Sequence, residues 1–257
     1  MAGPSQIDSI TWRWAAASAI GTGHAHAGGR LEDAYGVSVI GNHRLLAIVS
    51  DGAGSAEFGN YGAWLTCRMI TLRFREWYAE NSQLPSDGLL DEWIEELRGR
   101  ISLIANQRDS SPRQFAATLA SALITPDEIL TIQIGDSAIV GRKENAWDVL
   151  CWPENGEYAS TTYFVTDELG PRLNITRAPR EHDAFALFSD GVGDLALSHS
   201  QQAAHPQFFD PMLRPVDDAH GHGRLPELSA MLKAYLASPA VCERTDDDKT
   251  LVLISGR

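Results

Sequence analysis

The hydrophobic pattern of this chain switches between unbroken apolar runs and spaced apolar stripes. Residues 45–50 read Leu-Leu-Ala-Ile-Val-Ser with no polar alternation, which predicts a strand buried on both faces. Phe185-Ala186-Leu187-Phe188-Ser189 repeats that design, and Leu251-Val252-Leu253-Ile254 closes the chain in the same way. Residues 129–134 alternate well enough for a half-buried strand. Further strands are expected at 11–17, 31–40, 115–124, 138–140 and 147–150, with Gly41-Asn42 as a turn and Pro126-Asp127 as a stop.

Helices announce themselves by spacing. Leu90, Trp93, Ile94, Leu97, Ile101 and Ile104 fall on an i, i+3, i+4, i+7 stripe, with Ser86 or Asp87 available as cap. Residues 60–79 form another stripe through Tyr61, Trp64, Leu65, Ile70, Leu72, Phe74 and Trp77, ended before Pro85. A short helix at 225–236 is expected to turn Leu228, Met231, Leu232, Tyr235 and Leu236 inward. Between these elements, residues 1–9 read as a loose terminus and glycine-rich 21–30 as a loop. Residues 153–183 read as a polar flap, and histidine-containing 198–224 as a surface connection. No linker divides the chain, so 1–257 is expected to form one α+β domain.

Charge narrows the function classes. Thirty-four acids against 21 bases give a net charge of −13, which argues against nucleic acid or an anionic membrane as partner. The three cysteines, Cys67, Cys151 and Cys242, are dispersed and odd in number, so neither a disulfide framework nor a zinc site is indicated. The N-terminus lacks a basic region ahead of an apolar core, and residues 15–20 are too short for a span. A reducing cytoplasm is the expected location.

The acids that matter sit at strand ends: Glu32-Asp33, Asp51, Asp136, Asp190 and Asp246-Asp247-Asp248. Each alone is compatible with a turn or a cap. Brought to one point they cannot all be ionised without cations. Hard oxygen ligands without histidine or cysteine neighbours favour Mg²⁺ or Mn²⁺. Two such ions sharing a carboxylate would activate water for in-line attack on a phosphoryl group.

The order Glu32-Asp33-Ala34, Ser50-Asp51-Gly52-Ala53-Gly54, Ala117-Thr118-Leu119, Ile134-Gly135-Asp136-Ser137, Phe188-Ser189-Asp190-Gly191 and Asp247-Asp248-Lys249-Thr250 resembles the motif ladder of metal-dependent protein phosphatases of the 2C type. The match spans about residues 12–254. Gly21-Thr22-Gly23-His24 and residues 158–164 look more like a divergent bacterial branch. The resemblance implies an α-β-β-α sandwich of two antiparallel sheets, with metals at one end. It implies that Asp51 bridges two ions. The Gly52 carbonyl and, through water, Glu32 would serve one ion, and Asp190 and Asp247 the other. Asp136 would join Asp190 on a weaker third ion, and Asp33 would orient waters or a ligand.

This sequence departs from the family pattern at several points. Gly28 stands where well-studied members place a phosphate-binding arginine, four residues before the glutamate. Arg30 or His24 could supply the missing positive charge, and the sequence does not choose between them. Ala138 replaces an arginine after Asp136-Ser137, and the flap lacks the usual Asp-His-Ser. The expected function is a Mn²⁺- or Mg²⁺-dependent phosphoserine/phosphothreonine protein phosphatase. No cysteine lies in a Cys-x5-Arg loop, so no phosphoenzyme is expected. A phosphorylated protein, and a partner kinase or its targets, are the implied partners of a monomeric enzyme. The alternatives are a regulatory binding module on the same fold without turnover, and a hydrolase of small phosphoesters.

Overall fold

The computed structural model describes residues 11–41, 43–154 and 162–256. The expected loose terminus 1–9, Asn42 of the predicted turn and most of the stretch 158–164 lie outside the described residues.

Strand β1 (Arg13–Ala19) leads into a short helix α1 (Thr22–His26), then the hairpin β2 (Ala34–Ile40) and β3 (Arg44–Ser50). Two long helices follow, α2 (Gly59–Glu80) and α3 (Asp87–Gln107), then a 3-10 turn at Pro112–Phe115. Next come β4 (Leu119–Ile124), β5 (Glu128–Ile134), β6 (Ala138–Lys143), β7 (Ala146–Cys151), β8 (Asn174–Pro179) and β9 (Ala184–Phe188). The remainder is α4 (Asp190–Ala196), β10 (Leu197–Ser198), β11 (Ala203–Ala204), α5 (Pro206–Asp217), β12 (Gly223–Arg224), α6 (Pro226–Leu236), α7 (Pro239–Cys242) and β13 (Lys249–Ser255).

Two sheets carry the fold. One has the order β12-β1-β13-β9-β6-β7 and the other β2-β3-β4-β5-β8. Every pairing in them is antiparallel except β1 with β12. The period-2 alternation of side chains divides the core into layers. On β3, Leu45, Ala47 and Val49 face the other sheet and meet Phe185, Leu187, Val252 and Ile254. Leu46 and Ile48 face outward and pack with Phe74, Leu97 and Ile101 of α2 and α3. On the far side, Phe188, Leu251 and Leu253 pack with Phe209, Leu213, Leu232 and Leu236 of α5 and α6. This is the expected α-β-β-α sandwich.

The antiparallel order decides where the acids go. Ala34 pairs with Ser50 and Leu119 with Ile134, so the start of β2, end of β3, start of β4 and end of β5 share one end of their sheet. Phe188 pairs with both Leu251 and Ala138, and Ala19 with Lys249, which aligns the ends of β1 and β9 with the starts of β6 and β13. The Gly135–Ser137 turn passes from one sheet to the other, so both sets of ends meet.

Several expectations are corrected. The glycine-rich 21–30 stretch contains helix α1, and the strand expected at 115–124 begins only at Leu119 because Pro112 opens a 3-10 turn first. The flap 153–183 contains β8, an edge strand paired with β5. The surface connection 198–224 contains α5, which buries Phe209, Leu213 and Val216 despite internal Pro211 and Pro215. In α6, Met231 and Tyr235 are exposed and Ser229 is buried. The reason is polar: Ser229 Oγ accepts from the Ala16 N–H at 3.2 Å, which turns that face of the helix to β1. Trp64 and Leu72 of α2 are also exposed. Ser86 is the cap of α3, accepting from the Leu89 N–H at 3.3 Å. No described helix is long and apolar enough to cross a membrane.

Candidate metal centre

Asp51 leaves β3 into a clamp. Ser50 Oγ donates to the Thr118 carbonyl at 2.5 Å, the Asp51 N–H donates to Thr118 Oγ1 at 3.0 Å, and the Thr118 N–H donates to the Asp51 carbonyl at 2.8 Å. Gly52 is required next, since a Cβ there would lie 2.4 Å from the Gly59 carbonyl carbon. Asp190 opens α4 immediately after buried Ser189. Ser189 Oγ donates to Asp33 Oδ2 at 2.7 Å and accepts from the Thr250 N–H at 3.0 Å, which ties β9, β13 and the start of β2 together. Asp136 follows Gly135, whose φ is +95°, and its Oδ2 accepts from Thr162 Oγ1 at 2.6 Å.

The result is that carboxylate oxygens of Asp51, Asp136 and Asp190 all lie within 4.8 Å of one another. Burial pushes the Asp51 carboxyl well above the usual carboxylate range, and the charges of Asp33 and Asp190 push it further. Asp190 keeps part of its surface exposed, yet loss of hydration at its carboxyl, and then the charge of Asp136, pushes it up to about 6. Asp33 is pushed up to about 7 by burial, against the hydrogen bonds from Thr250 and Ser189. Burial also raises Asp136. Asp33 Oδ1 and Asp136 Oδ1 are buried without a hydrogen-bond partner in the described protein. Crowded, partly unsatisfied carboxylates are what a hard divalent cation relieves.

Glu32 lies apart from that trio. Its Oε2 accepts from the Asn60 N–H at 2.5 Å, at the start of α2, and its Oε1 is 3.6 Å from Arg30 Nε. Burial raises its pKa, while the Asn60 N–H and Arg30 pull it back. Asp247 borders the trio: its charge raises Asp190 and Asp136, and its Oδ1 accepts from the Asp248 N–H at 2.7 Å. The two candidates for positive charge are separated by their surroundings. Arg30 is exposed and donates to the Glu57 carbonyl at 2.7 Å. His24 lies on α1 with Nδ1 3.1 Å from Asp248 Oδ2, and its Nε2 lies against Gly54, where a Cβ would come within 2.8 Å. Burial alone would lower the His24 pKa, but Asp248, then Asp247 and Glu32, raise it.

Three supporting residues have no individual role in the sequence reading: Thr118, Ser189 and Asp248, the last counted only among the strand-end acids. Asp248 is the most connected, accepting from Gly21 N–H at 2.6 Å and Glu32 N–H at 2.5 Å. All three stand inside the quoted motifs, so the signal was adjacency to a candidate ligand. Cys67 is buried in the core on α2, and burial drives its thiol far up, which removes it as a nucleophile. Cys151 is pushed up to about 11 by burial.

The profile of the family described as protein phosphatase 2C matches residues 20–237. Serine/threonine-protein phosphatase 3 of Escherichia coli (strain K12) is 34% identical over 251 residues, covering 95% of this chain and 98% of the relative. The fold is similar to that of serine/threonine phosphatase Stp1 from Staphylococcus aureus, with a TM-score of 0.66 and 15% identity over 96% of this chain and 94% of that one. It is also similar to the catalytic domain of the serine/threonine protein phosphatase PstP in complex with two manganese ions. There the TM-score is 0.60 and the identity 18%, over 96% of this chain and 98% of that one.

Proposed function

The chain belongs to the protein phosphatase 2C family and is a metal-dependent serine/threonine protein phosphatase; we propose that its reaction centre is the acidic end of the sandwich around Asp51. The observation that carries this reading is the trio Asp51, Asp136 and Asp190, gathered within 4.8 Å on rigid strand ends. Divalent cations held there would neutralise the carboxylates and supply the Lewis acidity and activated water that attack on a phosphoryl group needs. We take Mn²⁺ or Mg²⁺ as the ions, since the donor set is oxygen only.

The protein's own groups divide the work. Asp51 feels the charges of both Asp33 and Asp190 and lies with Asp136 and Asp190 in the trio, so it is the carboxylate suited to being shared between two ions. The Gly52 carbonyl and, through water, Glu32 would serve one ion, and Asp190 and Asp247 the other; Asp136 would join Asp190 on a weaker third ion. Asp33, anchored by Ser189 through Oδ2, keeps Oδ1 free to accept from a water and fix its direction. Asp248 steadies the His24 ring at Nδ1, which leaves Nε2 to deliver a proton to the leaving oxygen. Arg30 holds Glu32 and adds positive charge at the rim.

Phosphoserine or phosphothreonine of a protein is the proposed substrate, with a partner kinase or its targets as source. The dispersed, unbridged cysteines support a cytoplasmic setting. Hydrolysis of phosphopeptides and of nucleotides, each with Mn²⁺ and with chelator, tests the reading. Metal-dependent turnover of phosphopeptides well above nucleotides is expected. Faster turnover of nucleotides would make the protein a small-phosphoester hydrolase, and no turnover of either would make it a binding module.

A further inference from the structure

A second feature opens beside the acidic end, along the edge where the two sheets part. A cleft of about 500 Å³ runs between β1 and β2 and is roofed by α6. Asp33 closes it at the acidic end, and Arg224 and Lys233 line it as well. Pro226, Ser229, Ala230 and Lys233 stand at i, i+3, i+4 and i+7 of α6, so one face of that helix forms the roof.

The edge of β1 is half closed. Ala16 turns its backbone to the cleft, and both groups are taken: its N–H donates to Ser229 Oγ at 3.2 Å, and its carbonyl accepts from Tyr35 OH at 3.1 Å. Two residues on, Ser18 turns its backbone to the same side. Its Thr250 neighbour on β13 bonds instead to Ser189, on the other side. The Ser18 N–H and carbonyl have no partner among the described residues. They form a short open strand edge next to the acidic end, of the kind that an extended peptide pairs with.

Away from Asp33, both charged side chains that line this cleft are cations. Arg224 and Lys233 are exposed, and neither forms an ion pair among the described residues, in a chain of net charge −13. Arg224 aligns with Trp14, four residues from Ser18 on β1, or about 13 Å at strand rise. Ser229 sits at Ala16, and Lys233 is one helical turn further on, about 6 Å along α6. The cations therefore mark a near and a far position along one extended chain.

We propose that this cleft binds the chain of a phosphoprotein substrate beside its phosphorylated residue, and that Lys233 and Arg224 select acidic side chains there. The proposal rests on the phosphatase reading. With the phosphorylated residue at the acidic end, the strand edge at Ser18 aligns the peptide. Lys233 then meets an acidic residue one or two positions away, and Arg224 one about four positions away.

The test uses the Mn²⁺-loaded full chain and phosphothreonine peptides with acidic, neutral or basic residues two and four positions to either side. An aryl phosphate, too small to reach the cleft, is the common reference. The acid-flanked peptide is expected to exceed the neutral one about tenfold in kcat/KM, through KM. The double charge reversal Arg224→Glu with Lys233→Glu should invert the preference toward basic flanks, and Arg224→Lys with Lys233→Arg should keep it. Equal kcat/KM for all flanks, or a preference that survives the double reversal, would overturn the proposal. Fluorescence anisotropy of the labelled peptides reads the cleft without turnover. If the aryl phosphate were not hydrolysed, the phosphatase reading would fail, and the anisotropy difference would still decide the cleft.

Discussion

His24 Nδ1 lies 3.1 Å from Asp248 Oδ2, and that aspartate is 1% exposed. The same carboxylate accepts from the backbone N–H groups of Gly21 and Glu32, so one buried group fixes the ring, the turn after β1 and the glutamate beside the centre. If His24 delivers the leaving-group proton, His24→Ala should lower kcat on a phosphoserine peptide about a hundredfold. It should cost far less on an aryl phosphate whose leaving oxygen is already acidic. Comparing kcat for the two substrates checks this. An equal loss on both would assign His24 a structural role.

Asp248→Asn should act on stability as well as rate. One of its two accepted N–H bonds would lose its charge-assisted acceptor, at a cost of about 1–3 kcal/mol. Thermal melting should show the loss in metal-free protein too, which separates it from weakened metal binding.

Without metal, the crowded acids make stability depend on pH in a defined direction. Asp33 is raised to about 7 and Asp190 to about 6 in the folded state. Both are ordinary carboxylates when unfolded. Between those values the folded protein binds more protons, so stability rises as pH falls toward 5 and declines as pH rises through 6 and 7. Melting in chelator from pH 5 to 8 should show that decline, and Mn²⁺ should raise the melting temperature most at pH 8. A melting temperature in chelator that rose with pH would contradict the electrostatic account.

Gly191 separates packing from chemistry. A Cβ at this position would lie 2.0 Å from the Asp248 carbonyl oxygen. Gly191→Ala should cost about 1–3 kcal/mol by overpacking and displace Asp190 from its partners. Weaker Mn²⁺ binding with lowered stability is the expected pair of results, read by calorimetry and melting.

At the opposite end of the sandwich, Arg142 is 6% exposed and bonds to both Asp183 and Asp217, with Nε–Oδ1 and Nη1–Oδ2 distances of 2.8 and 2.7 Å. Arg142→Ala removes the buried guanidinium that both acids share and should cost about 3 kcal/mol. Kinetic constants per folded molecule should stay as they were, because β6 reaches the acidic end through Ala138 and not through Arg142.

Much of this was legible in the sequence where one signal ruled. The unbroken apolar runs located β3, β9 and β13, and the clean stripe located α3. The acids at their ends could be placed together because antiparallel strands return to the same end. Legibility failed where two signals competed. Pro211 and Pro215 hid α5, although Phe209, Leu213 and Val216 keep helical spacing. Glycines masked α1, whose ends are fixed by long-range bonds such as Gly23 N–H to the Asp246 carbonyl. Met231 and Tyr235 fit an inward stripe on hydrophobicity alone, and only the Ser229 bond to β1 sets the rotation of α6. Asp248 was hidden among three aspartates, since its role comes from backbone groups more than 200 residues away.

The central claim is that Asp51 is the shared carboxylate of a metal-dependent hydrolytic centre. Asp51→Asn keeps the size and the backbone clamp of Thr118 but removes the charge. Manganese binding by calorimetry, together with Mn²⁺-dependent hydrolysis of an aryl phosphate, tests this most directly. The account predicts weakened binding and a rate lower by about a thousandfold in a protein that still folds. A variant that bound Mn²⁺ and turned over like the parent would contradict it.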